Sequence, residues 1–124
     1  MCPSTAAANR PKDKKECSQH MQSVIDALYV LNGKWKLPII VALRHNNHRF
    51  KELQREVTGI TARMLSKELK ELEINQLVKR TVYDSTPVTV EYELTEYATS
   101  LDNVIMALYD WGQKHRKRIM QVER

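Results

Sequence analysis

Apolar positions recur at helical spacing over most of this chain, and the breaks in that spacing mark out the elements. Val24, Ile25, Leu28 and Leu31 recur at three- and four-residue steps and predict a first amphipathic helix. Asn32-Gly33 ends it, because glycine enters the left-handed cap conformation without steric cost. A second helix is predicted over residues 35–44, with Pro38 in its first turn, where no intrahelical N–H is needed. Leu37, Ile39, Ile40, Val41 and Leu43 make it apolar on most sides, which predicts burial. Residues 45–49 read as a polar connection. A short helix follows over residues 50–57, with Phe50, Leu53 and Val57 facing inward, and then a tight turn at Thr58-Gly59-Ile60. Thr61 offers its hydroxyl as the N-cap of a helix over residues 62–75, striped by Leu65, Leu69 and Leu72.

The helical spacing then stops. Residues 77–84 and 88–94, rich in Val, Tyr and Thr, predict two strands joined by the turn signal Ser85-Thr86-Pro87. Thr95 is placed to cap a long final helix, along which Tyr97, Leu101, Val104, Ile105, Leu108 and Trp111 recur. The order is helix, helix, helix-turn-helix, hairpin, helix. This predicts a mainly α fold with a small β-hairpin (α+β), a winged helix-turn-helix with additional terminal helices.

Composition narrows the setting. A length of 124 residues suits one domain, and three Gly and four Pro argue against an all-β architecture. Residues 1–16 contain Ala, Pro and Lys but no apolar stretch; they are expected to form a disordered tail ahead of a domain over residues 17–124. No apolar run approaches the roughly 20 residues that span a bilayer. Cys2 and Cys17 do not make a disulfide framework, so a reducing cytoplasm is the expected compartment.

The net charge of +5 favours a polyanionic partner, but where the charges sit matters more than their sum. At about 100° per residue, Arg63, Lys67 and Lys70 lie nearly opposite the leucine stripe of the 62–75 helix, while Glu68 and Glu71 fall on a separate flank. An outward basic stripe suits phosphates or the acceptor-rich edge of guanine. Ala62 and Ser66 are small enough to let the first turn approach bases closely, and Thr61 at the cap joins them as a candidate DNA contact. The plain alternative is a solvated face whose cations pair with the nearby glutamates. Lys79, Arg80, Tyr83 and Thr86 then surround the hairpin tip, where a basic wing can reach phosphate beside the groove.

A family resemblance rests on these same segments. Leu31-Asn32-Gly33-Lys34-Trp35-Lys36, Arg49-Phe50-Lys51-Glu52-Leu53, Gly59-Ile60-Thr61, the run from Met64 to Glu73, Val90-Glu91-Tyr92-Glu93-Leu94-Thr95-Glu96-Tyr97 and Trp111-Gly112 resemble the HxlR-type transcriptional regulators, in order, from about residue 24 to about residue 116. The resemblance implies a homodimeric winged helix regulator of double-stranded DNA that recognises a pseudo-palindromic operator, with repression as its mode. It also implies a response to an oxidant or small electrophile through a cysteine. That cysteine stands just before the first helix in sensing members, near the position of Gln22 here, whereas Cys17 lies upstream. Cys17 therefore has two readings, a sensor thiol favoured by Lys14 and Lys15 or an inert, partly buried thiol; Cys2 sits in the tail, where modification moves nothing rigid. Met21, Leu28, Leu101, Val104, Ile105, Leu108 and Trp111 are the candidates for the dimer interface.

Two other functional classes compete. Cys17 with His20 and His45 with His48 share an i, i+3 spacing, but neither pair has enough convergent ligands for a zinc site. No phosphate-binding glycine loop or paired-carboxylate motif is present, so no catalysis, metal or cofactor is expected. A winged helix devoted to protein–protein contact is the nearer alternative, since fold alone does not fix function. Duplex binding that weakens steeply with salt separates the two.

Overall fold

The computed structural model describes residues 13–122. Contacts divide the chain at Gly33 into two compact units.

The first unit holds helix α1, Lys14–Val30. It starts three residues before the expected boundary at Cys17, because the Asp13 carboxylate accepts from the Glu16 amide at 2.8 Å and caps the first turn. Leu31 closes the last turn on the Ala27 carbonyl, and the Asn32 side-chain amide donates to the Tyr29 carbonyl. Gly33 then turns the chain at φ +79°, as its identity predicts.

The second unit carries the rest. Helix α2 is Lys36–His45, strand β1 is His48–Arg49, helix α3 is Phe50–Glu56 and helix α4 is Ala62–Ile74. Strands β2, Val78–Tyr83, and β3, Thr89–Leu94, follow, and helix α5 is Asp102–Val122. Ile39, Ile40 and Leu43 of α2, Leu53 of α3, and Leu65, Leu69 and Leu72 of α4 form the core with Leu77, Val78, Ala98 and Ile105. Every inward stripe expected for α3 and α4 lies in that core or at its edge.

Three details differ from the expectations. Residues 48–49 are not a bare connection: β1 pairs antiparallel with β3, His48 facing Tyr92, to give a three-stranded sheet of order β1-β3-β2. A strand of two polar residues leaves no periodicity to read. Second, Val41 is exposed and Leu37 only half-buried, so one side of α2 remains open. Third, Thr95 does not cap the long helix. Its Oγ1 accepts from the Ala98 amide at 3.2 Å and starts a 3-10 turn, Tyr97–Leu101, and α5 begins only after it. The same hydroxyl donates to the Gln76 carbonyl at 2.7 Å, pinning the residue between α4 and β2 that sits at φ 64°.

Candidate nucleic-acid interface

Helix α4 is amphipathic, and its capping fixes what it presents. Thr61 Oγ1 accepts from the Met64 amide at 3.1 Å, leaving the remaining amides of the first turn at an accessible helix start. The turn before it is sharp because Gly59 takes φ +91°, a value L side chains rarely adopt. Trp35 lies beside that turn: a β-carbon at Gly59 would stand 3.8 Å from its Cη2.

All ten residues proposed from sequence for DNA contact are exposed: Thr61, Ala62, Arg63, Ser66, Lys67 and Lys70 on or before α4, and Lys79, Arg80, Tyr83 and Thr86 on the hairpin. Arg63, Lys67 and Lys70 make no ion pair among the described residues. In the plain alternative these cations form a solvated face; they are exposed, and Lys67 still acts on Glu71 through its charge.

The glutamates are occupied from the other side. Lys36, in the first turn of α2, is 2% exposed, and its Nζ lies 2.8 Å from Glu68 Oε2 and also bonds Glu71 Oε2. Burial opposes the ammonium charge, but the hydrogen bonds and charges of Glu68 and Glu71 outweigh it and raise the Lys36 pKa. The hydrogen bond from Lys36 lowers the Glu71 pKa against partial desolvation, with the charges of Lys36 and Lys67 adding to it. Sequence reasoning missed this triad, although two signals were present. Lys36 opens a helix that is otherwise apolar on most sides, and Glu68 stands only roughly 60° from Leu65 on the helical wheel.

Strand alternation divides the wing residues that the sequence grouped together. Lys79 pairs across from Glu93 and Arg80 across from Tyr92, so the two cations project from opposite faces of the sheet. Lys79 shares its face with Glu91 and Glu93, and its Nζ is 3.9 Å from Glu93 Oε1. Asn47 donates to both carboxylates at 3.2 Å. Arg80 has no such acidic neighbour opposite it. Thr86 lies at the tip, where Ser85 Oγ donates to the Pro87 carbonyl at 2.7 Å.

The outcome for the interface candidates is mixed. Met21, Leu28, Val104, Leu108 and Trp111 are exposed, and Leu101 is half-buried. Ile105 is 8% exposed and belongs to the chain's own core, which removes it from a surface role. The early turns of α5 form an apolar cleft of about 430 Å³ with α2, lined by Leu37, Pro38, Val41, Met106, Leu108 and Tyr109. Cys17 is buried and disulfide-bonded, which corrects both readings of it as a thiol. Cys2 lies outside the described residues. No cluster of His, Cys, Asp and Glu suited to a metal ion occurs among the described residues. Nor is any helix among them long and apolar enough to cross a membrane.

The model of the HxlR-like helix-turn-helix family matches residues 30–120. The chain belongs to the HxlR-like helix-turn-helix family. Among its HxlR-like relatives, the HTH-type transcriptional regulator YtcD of Bacillus subtilis is 42% identical over 97 residues, 78% of this chain and 77% of YtcD. The redox regulator HypR in its reduced form superposes with a TM-score of 0.75 at 35% identity, covering 80% of this chain and 98% of HypR. Reduced YodB of B. subtilis, also a transcriptional regulator, gives 0.67 at 38% identity over 77% of this chain and 90% of YodB. The winged helix-turn-helix fold and the DNA-binding regulator class expected from the sequence are thus those of its family, whose members are regulators rather than enzymes.

Proposed function

We propose that this HxlR-like protein is a homodimeric repressor that binds a pseudo-palindromic operator in the cytoplasm, with α4 in the major groove and the β2–β3 wing on flanking phosphate. The observation that carries this reading is the exposed stripe of Arg63, Lys67 and Lys70, held opposite a fully buried leucine stripe and without acidic partners among the described residues. Such a helix offers cations to acceptors in a groove while its packing fixes their direction. Selection of bound duplexes from a random pool tests it. The expected product is an inverted repeat whose affinity falls steeply with salt. Recovery of no preferred duplex, or binding indifferent to salt, overturns it.

The regulatory extension runs through Cys17. HypR is a redox regulator, and YodB has been studied after diamide treatment. Reduction of the disulfide at Cys17 by a thiol reductant, and its re-formation by an oxidant, would alter the start of α1, and a tenfold change in operator affinity needs only about 1.4 kcal/mol. Affinity measured under reductant and after diamide, in wild type and Cys17→Ser, decides this. A response confined to the wild type supports the switch; an equal response in both variants removes Cys17 from it.

A further inference from the structure

Helix α4 carries Arg63, Lys67 and Lys70 but also Glu68, Glu71 and Glu73, so its formal charge is zero. A neutral helix is a poor match for a polyanion, and glutamates three and four residues from lysines ordinarily capture them. Lys67 and Glu71 have the i, i+4 spacing for such a pair, and Glu71 already feels the Lys67 charge. What prevents the pairing comes from another helix. The Lys36 ammonium enters from α2, almost fully buried, and binds both Glu68 and Glu71.

We propose that Lys36 is a positioning residue of the nucleic-acid interface: it acts as an internal counter-ion that claims Glu68 and Glu71, so that Lys67 stays unpaired for the partner. The inference rests on the reading of α4 as the recognition helix. Because Lys36 and Glu68 are shielded from solvent, the salt that screens surface pairs leaves their pairing largely intact, and the helix keeps its bias toward anions at the ionic strength of a cell. Removing Lys36 alone would leave Glu68 as a buried, unpaired charge, a change that itself threatens folding. The informative variants therefore neutralise the buried pair together.

Lys36→Met/Glu68→Gln has the net charge of the wild type and no buried ion, but it frees Glu71, whose side chain is partly exposed, to take Lys67. Its affinity for the selected duplex is expected to fall about tenfold, with the salt slope reduced by about 1 as one phosphate contact is lost. Adding Glu71→Gln should restore both. Glu71→Gln in the wild-type background should change affinity less than about twofold, since that carboxylate is already claimed. A general charge effect would make Glu71→Gln equally helpful in both backgrounds, and a purely mechanical role would leave the triple variant as weak as the double. Either result overturns the proposal. The same four proteins are also compared by the salt needed to elute them from immobilised heparin. If the wild type selects no duplex, the regulator reading falls, and the heparin order alone decides the counter-ion role: double variant early and triple restored upholds it, while equal elution rejects it.

Discussion

At the scale of single residues, the candidate interface depends on where each charge is satisfied. Arg63 stands two residues after the Thr61 cap, exposed, on the turn that enters a groove first. Replacing it by Ala is expected to cost about 1–3 kcal/mol and to relax preference at one position per half-site. Binding measured against a set of single-base operator variants checks this, and a uniform loss on every duplex would reassign Arg63 to phosphate. The Lys36 triad makes a separate statement about stability. The raised Lys36 pKa gives stability that is fully present below the ordinary lysine value of about 10.4 and is lost as pH rises through the folded value. The lowered Glu71 pKa gives stability present above the ordinary glutamate value of about 4.3 and lost as pH falls through the folded value. The urea midpoints of wild type and Glu71→Gln should therefore differ by a constant amount between those limits and converge in acid. A difference that persists well below the glutamate range would show that the Lys36 hydrogen bond is not its source.

At the scale of elements, helices α2 to α4 are legible because each buries one face at the helical period, and the hairpin strands because runs rich in Val, Tyr and Thr flank a Ser-Thr-Pro turn signal. Leu65, Leu69 and Leu72 are all within 1% of complete burial, as their spacing requires. What was not legible belongs to contacts between elements. Strand β1 is defined only by the partner it finds in β3, and Thr95 caps a 3-10 turn because its hydroxyl is held by Gln76, nineteen residues earlier. The wing shows the same limit. Sequence order placed Lys79 and Arg80 together as phosphate ligands, but a strand turns neighbours to opposite faces, and Glu91 and Glu93 appear beside Lys79 only through the register of β3. The two cations are accordingly expected to differ. Arg80→Ala should weaken all duplexes alike and reduce the salt slope by about 1. Lys79→Ala, which removes a cation already countered by Glu93, should change the slope by less than half as much. Titrations at several salt concentrations measure both slopes, and equal effects would mean that the wing presents its edge rather than one face.

At the scale of the whole molecule, α5 leaves an apolar stripe exposed, and the proposed dimer would cover it. Val104, Leu108 and Trp111 recur at i, i+4 and i+7 and are 43%, 49% and 66% exposed, while Ile105 beside them is 8% exposed. One turn of helix thus carries both a core face and an open apolar face, which is the pattern of an element meant to be covered from outside. For a dimer that reads successive turns of one groove, the two copies of α4 are expected to stand about 34–36 Å apart. Leu108→Glu and Ile105→Glu separate the two faces. Leu108→Glu places a charge on the open stripe. It should retain the wild-type circular dichroism, sediment as a monomer, and lose about 10²–10⁴ in operator affinity because the second half-site contact is no longer intramolecular. Its salt slope should fall by about half, since a monomer reaches half the phosphates. Ile105→Glu buries an unpaired carboxylate in the chain's own core and should unfold the second unit instead. Sedimentation of the wild type at micromolar concentration provides the baseline. A wild-type mass of one chain, 14.5 kDa, rather than two, would reject the dimer outright. A folded, dimeric Leu108→Glu variant would move the interface away from this stripe, to the exposed side chains of α1 such as Leu28.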